Sequence, residues 1–536
     1  MQKNNPRKFD VIIVGAGVAG MYAVHRLRQQ GLKVRAFEKG TDVGGTWYWN
    51  RYPGCRCDVE SMEYSFSFDN DLQQEWRWPE RYGTQPEILT YLRHVSDRFD
   101  LRNDIEFGVT IKSAKFDSKA SLWTVSTDKG DIISAPYLVM ATGNLSTPRK
   151  PNIPGIDGFR GAYYHTGLWP HEGVDFTGLR VGIIGTGSSG VQSIPIIAKQ
   201  AKQLFVFQRT ANFSLPAKNK PLDPAAEAKH KAEYPERRRA AFDTPFGIAG
   251  YPPPTASALD VSDDERSKTY EQKWSEGGSI SFLYSYTDLL VNEEANKTAS
   301  DFVRNKIRSI VKDAKTAELL CPNDHPMGTK RLILDTNYYE TYNLPHVKLV
   351  DIRSNPIREI VEDGIRTADA HYELDAIVFA TGFDAMTGAM KEIDISTDRQ
   401  QTIRHKWEHG PRTYLGIMMN GFPNMFMITG PQSPGVKSQM ILSCEQHVDW
   451  IANLLKHLTE KGLREAEPTR MAEDAWVDHN NEVADGTLYP KANSWYVGAN
   501  IPGKPRVFMP YVGGVMAYKK KCDEVAAAGY EGITLR

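Results

Sequence analysis

The sequence predicts an α/β protein in which a Rossmann-like dinucleotide-binding unit occurs twice, the second copy carrying a helical insertion. Three observations carry this. A G-x-G-x-x-G turn follows a short apolar run at residues 15–20 and again at residues 185–190. Each turn leads into a helix-like stretch and then a second apolar run. Two later apolar runs, Tyr137–Met140 and Ala376–Phe379, end in the same tripeptide, Ala-Thr-Gly, one behind each half.

In chain order, Val11–Val14 is continuously apolar, as a parallel strand buried on both faces must be. In the turn that follows, Gly15 makes the bend, Gly17 lets the backbone approach a pyrophosphate, and Gly20 lets helix and strand pack closely. Residues 21–28 read as the helix, whose N-terminus offers free N–H groups and a positive dipole end. Residues 33–37 form the next strand. It ends in Glu38, 23 residues past Gly15, placed to accept hydrogen bonds from a ribose. Strand, helix, strand and terminal acid together define a dinucleotide site. After Glu38, the sequence GGTW (residues 44–47) sits where the ribityl chain and ring of a flavin would leave the turn, so the first dinucleotide is read as FAD.

The second copy repeats the plan with residues 181–184 as strand, Gly185, Gly187 and Gly190 as the turn, and residues 204–207 as the next strand. At the ribose position it carries Arg209, 24 residues past Gly185, followed by Thr210. An arginine there can grip a 2′-phosphate with a charge-assisted fork, so this nucleotide is expected to be NADP(H). The turn is not a hydrolase nucleophile elbow, because Val191 stands where G-x-S-x-G requires glycine. Two such units on one chain imply electron flow from NADPH to the flavin.

Length and composition bound the rest. The 536 residues suffice for three or four domain-sized units. Lys plus Arg is 65 and Asp plus Glu is 66, a formal net charge of −1, which argues against nucleic acid or an anionic membrane as partner. The five cysteines, Cys55, Cys57, Cys321, Cys444 and Cys522, read as reduced thiols of a cytoplasmic protein. Cys55 and Cys57 form a C-x-C, whose disulfide would close a strained ring, so a disulfide-reductase reading is disfavoured. The N-terminus shows no apolar signal core, no apolar run reaches a membrane span, and no metal-ligand spacing occurs. Residues 216–326 begin with a charge-rich, helix-prone run, expected to be a solvated helical face, and continue through a Pro/Gly/Ser-rich break into amphipathic helices. The expected division is an FAD domain over residues 1–150 and 383–536, an NADP domain over 151–215 and 327–382, and the insertion between 216 and 326.

Between the halves lies FRGAYYHTGLWP, residues 159–170, an aromatic-rich stretch that reads as a connecting segment. Its pattern F-x-G-x-x-x-H-x-x-x-W-P, met by Phe159, Gly161, His165, Trp169 and Pro170, resembles the fingerprint of type I Baeyer–Villiger monooxygenases. The resemblance runs over essentially the whole chain, through RYPGCRCD (51–58), KRLILDTNYYETYN (330–343), ATGFD (380–384), GPQSPG (430–435) and NSWYVGANIPGK (493–504). The GPQSP stretch is more similar to the phenylacetone and steroid monooxygenase branch than to cyclohexanone monooxygenase.

The resemblance implies NADPH- and O2-dependent oxidation of a small-molecule ketone to an ester or lactone, through an anionic flavin peroxide and a Criegee adduct. It implies Arg331 as the catalytic cation and Asp58 as the carboxylate that orients it. It places Thr46, Trp47, Tyr64 and Met440 near the flavin, Lys330 with Arg209 on the 2′-phosphate, and Trp495 on a mobile loop over the nicotinamide. Further cofactor contacts are expected from Arg56, Thr186, Ser188, Ser189 and Gln192. The fingerprint is expected to position the two domains, with Phe159, Trp169 and Pro170 pinning the hinge and His165 relaying nicotinamide-domain position to the flavin. The alternative chemistry is N- or S-oxygenation by a flavin monooxygenase, which needs no Arg331. A sensor that holds both nucleotides without turnover belongs to a different class and predicts no sustained NADPH oxidation. Oligomeric state is left open, a monomer included.

Overall fold

Two parallel sheets of five strands share one strand order. In the computed structural model, which describes residues 7–149 and 151–536, the first runs Met425–Met427, Tyr137–Met140, Val11–Val14, Val34–Glu38, Ile105–Phe107. The second runs Ala162–His165, Ala376–Phe379, Arg180–Ile184, Gln203–Gln208, Val347–Asp351. Neighbouring strands in both sheets are parallel. Parallel neighbours need crossovers, and the helices Val18–Arg28 and Ser188–Ala198 begin them. Covered on both faces, the central strands are apolar throughout and Val11, Ile13, Val181 and Val378 are fully buried. The first helix starts at Val18, earlier than residue 21, because Gly17 is its N-cap and the turn runs straight into it. The N-terminal residues 1–6 and residue 150, where a domain boundary was drawn, lie outside the described residues.

The duplication reaches further than the glycine turns. Each half inserts a three-stranded antiparallel meander before its Ala-Thr-Gly strand. In the first half it is Ile111–Asp117, Leu122–Thr127 and Ile132–Ala135; in the second, Ile357–Val361, Gly364–Thr367 and His371–Glu373. The sequence shows no repeat there because hairpins conserve geometry rather than residue identity. The stretch 159–170 also differs from a plain connector. Ala162–His165 is the edge strand of the second sheet, with His165 opposite Phe379. Trp169 is buried against Tyr164 and Phe176, and Phe159 is buried in the core beneath the second sheet.

The insertion is helical, with Pro224–Ala232, Tyr234–Ala241, Asp263–Glu276, Ser279–Leu283, Glu293–Ile310 and Ala314–Leu320. Its two ends are tied by a ribbon in which Ser214–Pro216 pairs in parallel with Ile333–Asp335. The charge run is not a solvated face throughout. Arg237 donates to the Glu63 carboxylate at 2.8 Å, Arg238 donates to the Glu63 carbonyl at 3.0 Å, and His230 lies 3.5 Å from the same carboxylate. Glu63 is 2% exposed, and a carboxylate that deep requires cations around it. That buried acid lies 174 residues before Arg237 and 175 before Arg238, too far for any local pattern yet adjacent in space.

Among the described residues no helix is long and apolar enough to cross a membrane, and no group of three or more His, Cys, Asp or Glu residues could hold a metal ion.

Candidate active site

The two glycine turns are built alike. Gly15 has φ +105° and Gly185 φ +108°, backbone that disfavours any side chain. A Cβ on Gly15 would stand 2.5 Å from the Ala141 carbonyl oxygen, and one on Gly185 2.5 Å from that of Ala380. These alanines open the two Ala-Thr-Gly tripeptides, so each tripeptide is the wall against which its turn is pressed. Neither following helix has a side-chain N-cap or an acid in its first turn, which leaves N–H groups free for an anion.

The first turn opens on a cleft of about 1430 Å³, its open mouth included. Gly15, Gly17, Glu38, Thr46, Trp47, Tyr64 and Met440 lie on its wall. Gly20 sits behind the turn, where a Cβ would meet the Gly15 carbonyl oxygen at 1.9 Å. Glu38 accepts from the N–H of Ala16 at 2.9 Å and of Gly40 at 2.7 Å, which fixes a carboxylate with lone pairs to spare for ribose hydroxyls. The Trp47 indole donates to the Tyr64 hydroxyl at 3.1 Å. Free helix N–H groups, a fixed acid and a long cleft with aromatic walls fit FAD. Asn50, Asn144, Thr429 and Cys444 share the wall and were not singled out in the sequence. For Asn144 the available signal was its place directly after Ala-Thr-Gly.

Thr429 is held by a relay that titrates. Its N–H donates to His447 Nδ1 at 2.9 Å, His447 Nε2 lies 2.8 Å from the Tyr518 hydroxyl, and that hydroxyl donates to the Leu415 carbonyl. The ring must therefore be neutral with its proton on Nε2, and burial pushes its pKa down to about 3. An unfolded chain takes up the proton near pH 6.5, so this contribution to stability is present above pH 6.5 and drains away as pH falls toward 3. At pH 5 the loss is about 2 kcal/mol. Thermal unfolding is expected to shift downward between pH 6.5 and 5, and His447→Gln to flatten that slope; an unchanged slope would contradict the relay.

At the second turn, a Cβ on Gly190 would stand 2.3 Å from the Gly185 carbonyl oxygen, whereas Gly187 faces open space. Thr186 donates to the Thr210 carbonyl at 3.0 Å, tying the turn to the Arg209 loop. Ser188 is exposed at the helix start, and Ser189 accepts from the Thr166 hydroxyl at 3.2 Å. Arg209 is exposed and lies near Lys330 and Arg149. Burial, with Arg209 and Arg353 nearby, holds the Lys330 pKa below its usual value despite Asp324 at 3.8 Å. This surplus of positive charge beside a free helix N-terminus fits the 2′-phosphate of NADP(H). Two of the expected contacts, Gln192 and Arg56, also hydrogen-bond within the chain. Gln192 donates to the Arg56 carbonyl at 3.0 Å and accepts from the Tyr52 hydroxyl at 2.8 Å. Arg56 donates to Glu80 and to the Tyr82 carbonyl, both at 2.6 Å. Together they dock the second turn's helix on the loop at residues 51–56.

Between the halves, Arg331 grips Asp58 with a two-pronged contact, Nε to Oδ2 at 2.8 Å and Nη2 to Oδ1 at 2.7 Å. The third prong, Nη1, donates to the Val436 carbonyl at 2.8 Å. The pair is 273 residues apart in sequence. Asn212 donates to the Arg331 carbonyl at 3.2 Å, and the ribbon that closes the insertion begins two residues later. Burial works against the guanidinium charge, but Asp58, Tyr496 and Cys57 outweigh it and raise its pKa, so it stays protonated. Arg331 and Asp58 are not on the cleft wall. They adjoin it through Tyr64 on one side and Met440, four residues after Val436, on the other.

Trp495 is half-buried in a turn over Trp495–Val497, its ring 4.2 Å from that of Tyr496. The following segment is docked by Asn500 on the Phe383 carbonyl at 2.7 Å and by Lys504 on Asp384 at 2.6 Å. His165 accepts from the Gly167 N–H at 2.9 Å and lies 3.3 Å from the Thr381 hydroxyl, beside the second Ala-Thr-Gly. All five cysteines are free and buried, and burial pushes the Cys55 thiol up to about 12.

Two nucleotide turns built alike, with a fixed arginine bridging their halves, define a flavin- and pyridine-nucleotide-dependent oxidoreductase. The family model described as pyridine nucleotide-disulphide oxidoreductase matches residues 12–233. A Baeyer-Villiger monooxygenase of Pseudooceanicola batsensis is 44% identical over 98% of this chain and 96% of its own length. The phenazine N-monooxygenase PhzNO1 of Lysobacter antibioticus is 43% identical over 100% and 98%. A solved structure of oxidized steroid monooxygenase bound to NADP superimposes with a TM-score of 0.94 at 52% identity, covering 98% of this chain and 99% of that one. The chain belongs to the Baeyer–Villiger monooxygenase family.

Proposed function

We propose that this protein uses NADPH and O2 to oxidise a ketone to an ester or lactone, with FAD in the first cleft and NADP(H) at the second turn. The bidentate Arg331–Asp58 pair beside the flavin cleft is the observation that carries the reading. The chemistry supplied by the bound nucleotides is reduction and activation of O2, one oxygen atom entering the ketone beside its carbonyl carbon and the other leaving as water. Negative charge develops on oxygen during that insertion, and a cation held in place before the reaction stabilises it without reorganising. Asp58 fixes the plane of the Arg331 guanidinium, and the Val436 carbonyl fixes its third edge. Arg209 and Lys330 hold the 2′-phosphate, the helix starting at Ser188 faces the pyrophosphate, and Trp495 covers the nicotinamide. His165, packed and neutral, positions the second sheet's edge strand rather than carrying a proton; burial lowers its pKa. The division at residues 150, 215, 326 and 382 is part of this proposal, as is a cytoplasmic setting, which reduced cysteines support.

N-oxygenation is the second reading, favoured by the phenazine N-monooxygenase relative. A nitrogen nucleophile needs no cation to stabilise a carbonyl-derived anion, so the Arg331–Asp58 pair favours the ketone. The deciding experiment incubates the flavin-loaded enzyme and NADPH with linear, aromatic, cyclic and steroid ketones and with a phenazine. Esters or lactones are expected; an N-oxide with no ester from any ketone would reverse the assignment.

Coenzyme choice is a separate expectation. Arg209→Ala and Lys330→Ala should each raise the KM for NADPH about tenfold, the value of one charge-assisted contact, while the KM for NADH changes far less. Equal effects on both coenzymes would move the phosphate site elsewhere.

A further inference from the structure

Lys437 is a basic side chain without a counter-ion beside the proposed reaction centre. Its Nζ lies 4.2 Å from the centroid of the Tyr489 ring and 4.8 Å from that of Tyr496, and among the described residues it forms no ion pair and no side-chain hydrogen bond. It follows Val436, whose carbonyl holds Arg331. Tyr496 is fully buried in the same cluster, its hydroxyl beside the Arg331 guanidinium and with no acceptor for its proton among the described residues. The cluster thus holds two basic side chains, Arg331 and Lys437, against one carboxylate, Asp58, and one hydroxyl donor without an acceptor. Burial and then the Arg331 charge hold the Lys437 pKa well below the usual lysine value, as expected where a counter-charge is missing. A half-buried amine without a counter-charge and a buried hydroxyl without an acceptor both cost stability, and such groups persist where a ligand completes them.

We propose that Lys437 and the Tyr496 hydroxyl form a recognition site for a carboxylate carried by the ketone, so that the preferred substrates are keto acids. This rests on the ketone reading above. The carboxylate supplies the counter-charge that Asp58 cannot, since both of its oxygens are engaged by Arg331. It also keeps the amine protonated and leaves Arg331 free for the carbonyl end of the same molecule. The two ring faces fix the amine's direction without neutralising it. A neutral ketone would leave Lys437 as it stands, unpaired.

The test compares an aryl or alkyl ketone ending in a carboxylate with its methyl ester, using the flavin-loaded enzyme and NADPH and scoring the oxygenated product. In the native enzyme kcat/KM for the keto acid is expected to exceed that for its methyl ester about tenfold. In Lys437→Met that ratio falls to about one, and Lys437→Arg keeps it well above one. A ratio at or below one in the native enzyme overturns the proposal without recourse to any variant. So does a ratio that survives Lys437→Met. If the methyl ester and simple ketones are oxygenated while either of these results is found, the ketone reading stands and Lys437 selects nothing. If no ketone is oxygenated, both fail together.

Discussion

Replacing Arg331 by alanine is expected to lower ester formation by about 10²–10³-fold while leaving reduction of the bound flavin by NADPH measurable. The size follows from removing one preorganised donor aimed at developing negative charge, about 3–4 kcal/mol. The two activities separate because hydride arrival at the flavin creates no oxyanion, whereas attack on a carbonyl does. Arg331→Lys should not restore the rate. An ammonium is a point charge and cannot engage both Asp58 oxygens and the Val436 carbonyl in one plane. Asp58→Ala should cost part of the same factor, since it leaves the guanidinium charged but unfixed. Stopped-flow absorbance of the flavin under anaerobic NADPH reports the first half, and product analysis reports the second. Ester formation retained within a few-fold in Arg331→Ala, with the protein flavin-loaded, would remove Arg331 from the mechanism.

The site was legible in the sequence to very different degrees. The glycine turns are local events: a bend that only glycine tolerates at φ above +100°, preceded by a strand and followed by a helix, leaves its mark within twenty or so residues. The strands Val11–Val14, Tyr137–Met140 and Ala376–Phe379 were equally plain, because burial on both faces forces an uninterrupted apolar run. The meanders were not read. Ile111–Asp117 mixes buried and exposed residues without a clean apolar run, a weaker pattern that turn residues blur. The edge strand Ala162–His165 exposes most of its length and so carries no apolar run at all. Contacts that depend on tertiary closure have no local signature. Nothing near Glu63 announces two arginines and a histidine from residues 230–238, and nothing near Asp58 announces an arginine 273 residues later. The Arg331–Asp58 pairing came from family resemblance, and the structure places the two side chains in contact. Lys437 had neither a local pattern nor a family motif to mark it.

The duplicated turns make the second large effect a comparison between equivalent glycines. Gly20→Ala is expected to yield protein without flavin, and Gly190→Ala protein that keeps its flavin but needs at least about tenfold more NADPH. Both residues lie within helices at ordinary φ, so helix propensity alone would reward alanine by about 1 kcal/mol. Sterics decide the other way. The new Cβ would sit 1.9 Å from the Gly15 carbonyl oxygen in one case and 2.3 Å from that of Gly185 in the other. The obstructing atom is backbone of the turn itself, so relief requires moving the N–H groups that face the pyrophosphate. Forced repacking of this kind costs typically 1–3 kcal/mol, enough for a ten- to hundredfold loss of nucleotide affinity. The closer approach at Gly20 makes the first site the more severely affected. Visible absorbance of the purified protein measures flavin content, and initial rates against NADPH measure the second site. The two variants also separate the nucleotide assignments. If Gly20→Ala retained flavin and lost NADPH affinity, the first turn would be the pyridine-nucleotide site, and Glu38 and Arg209 would have to exchange the roles that their charges now support.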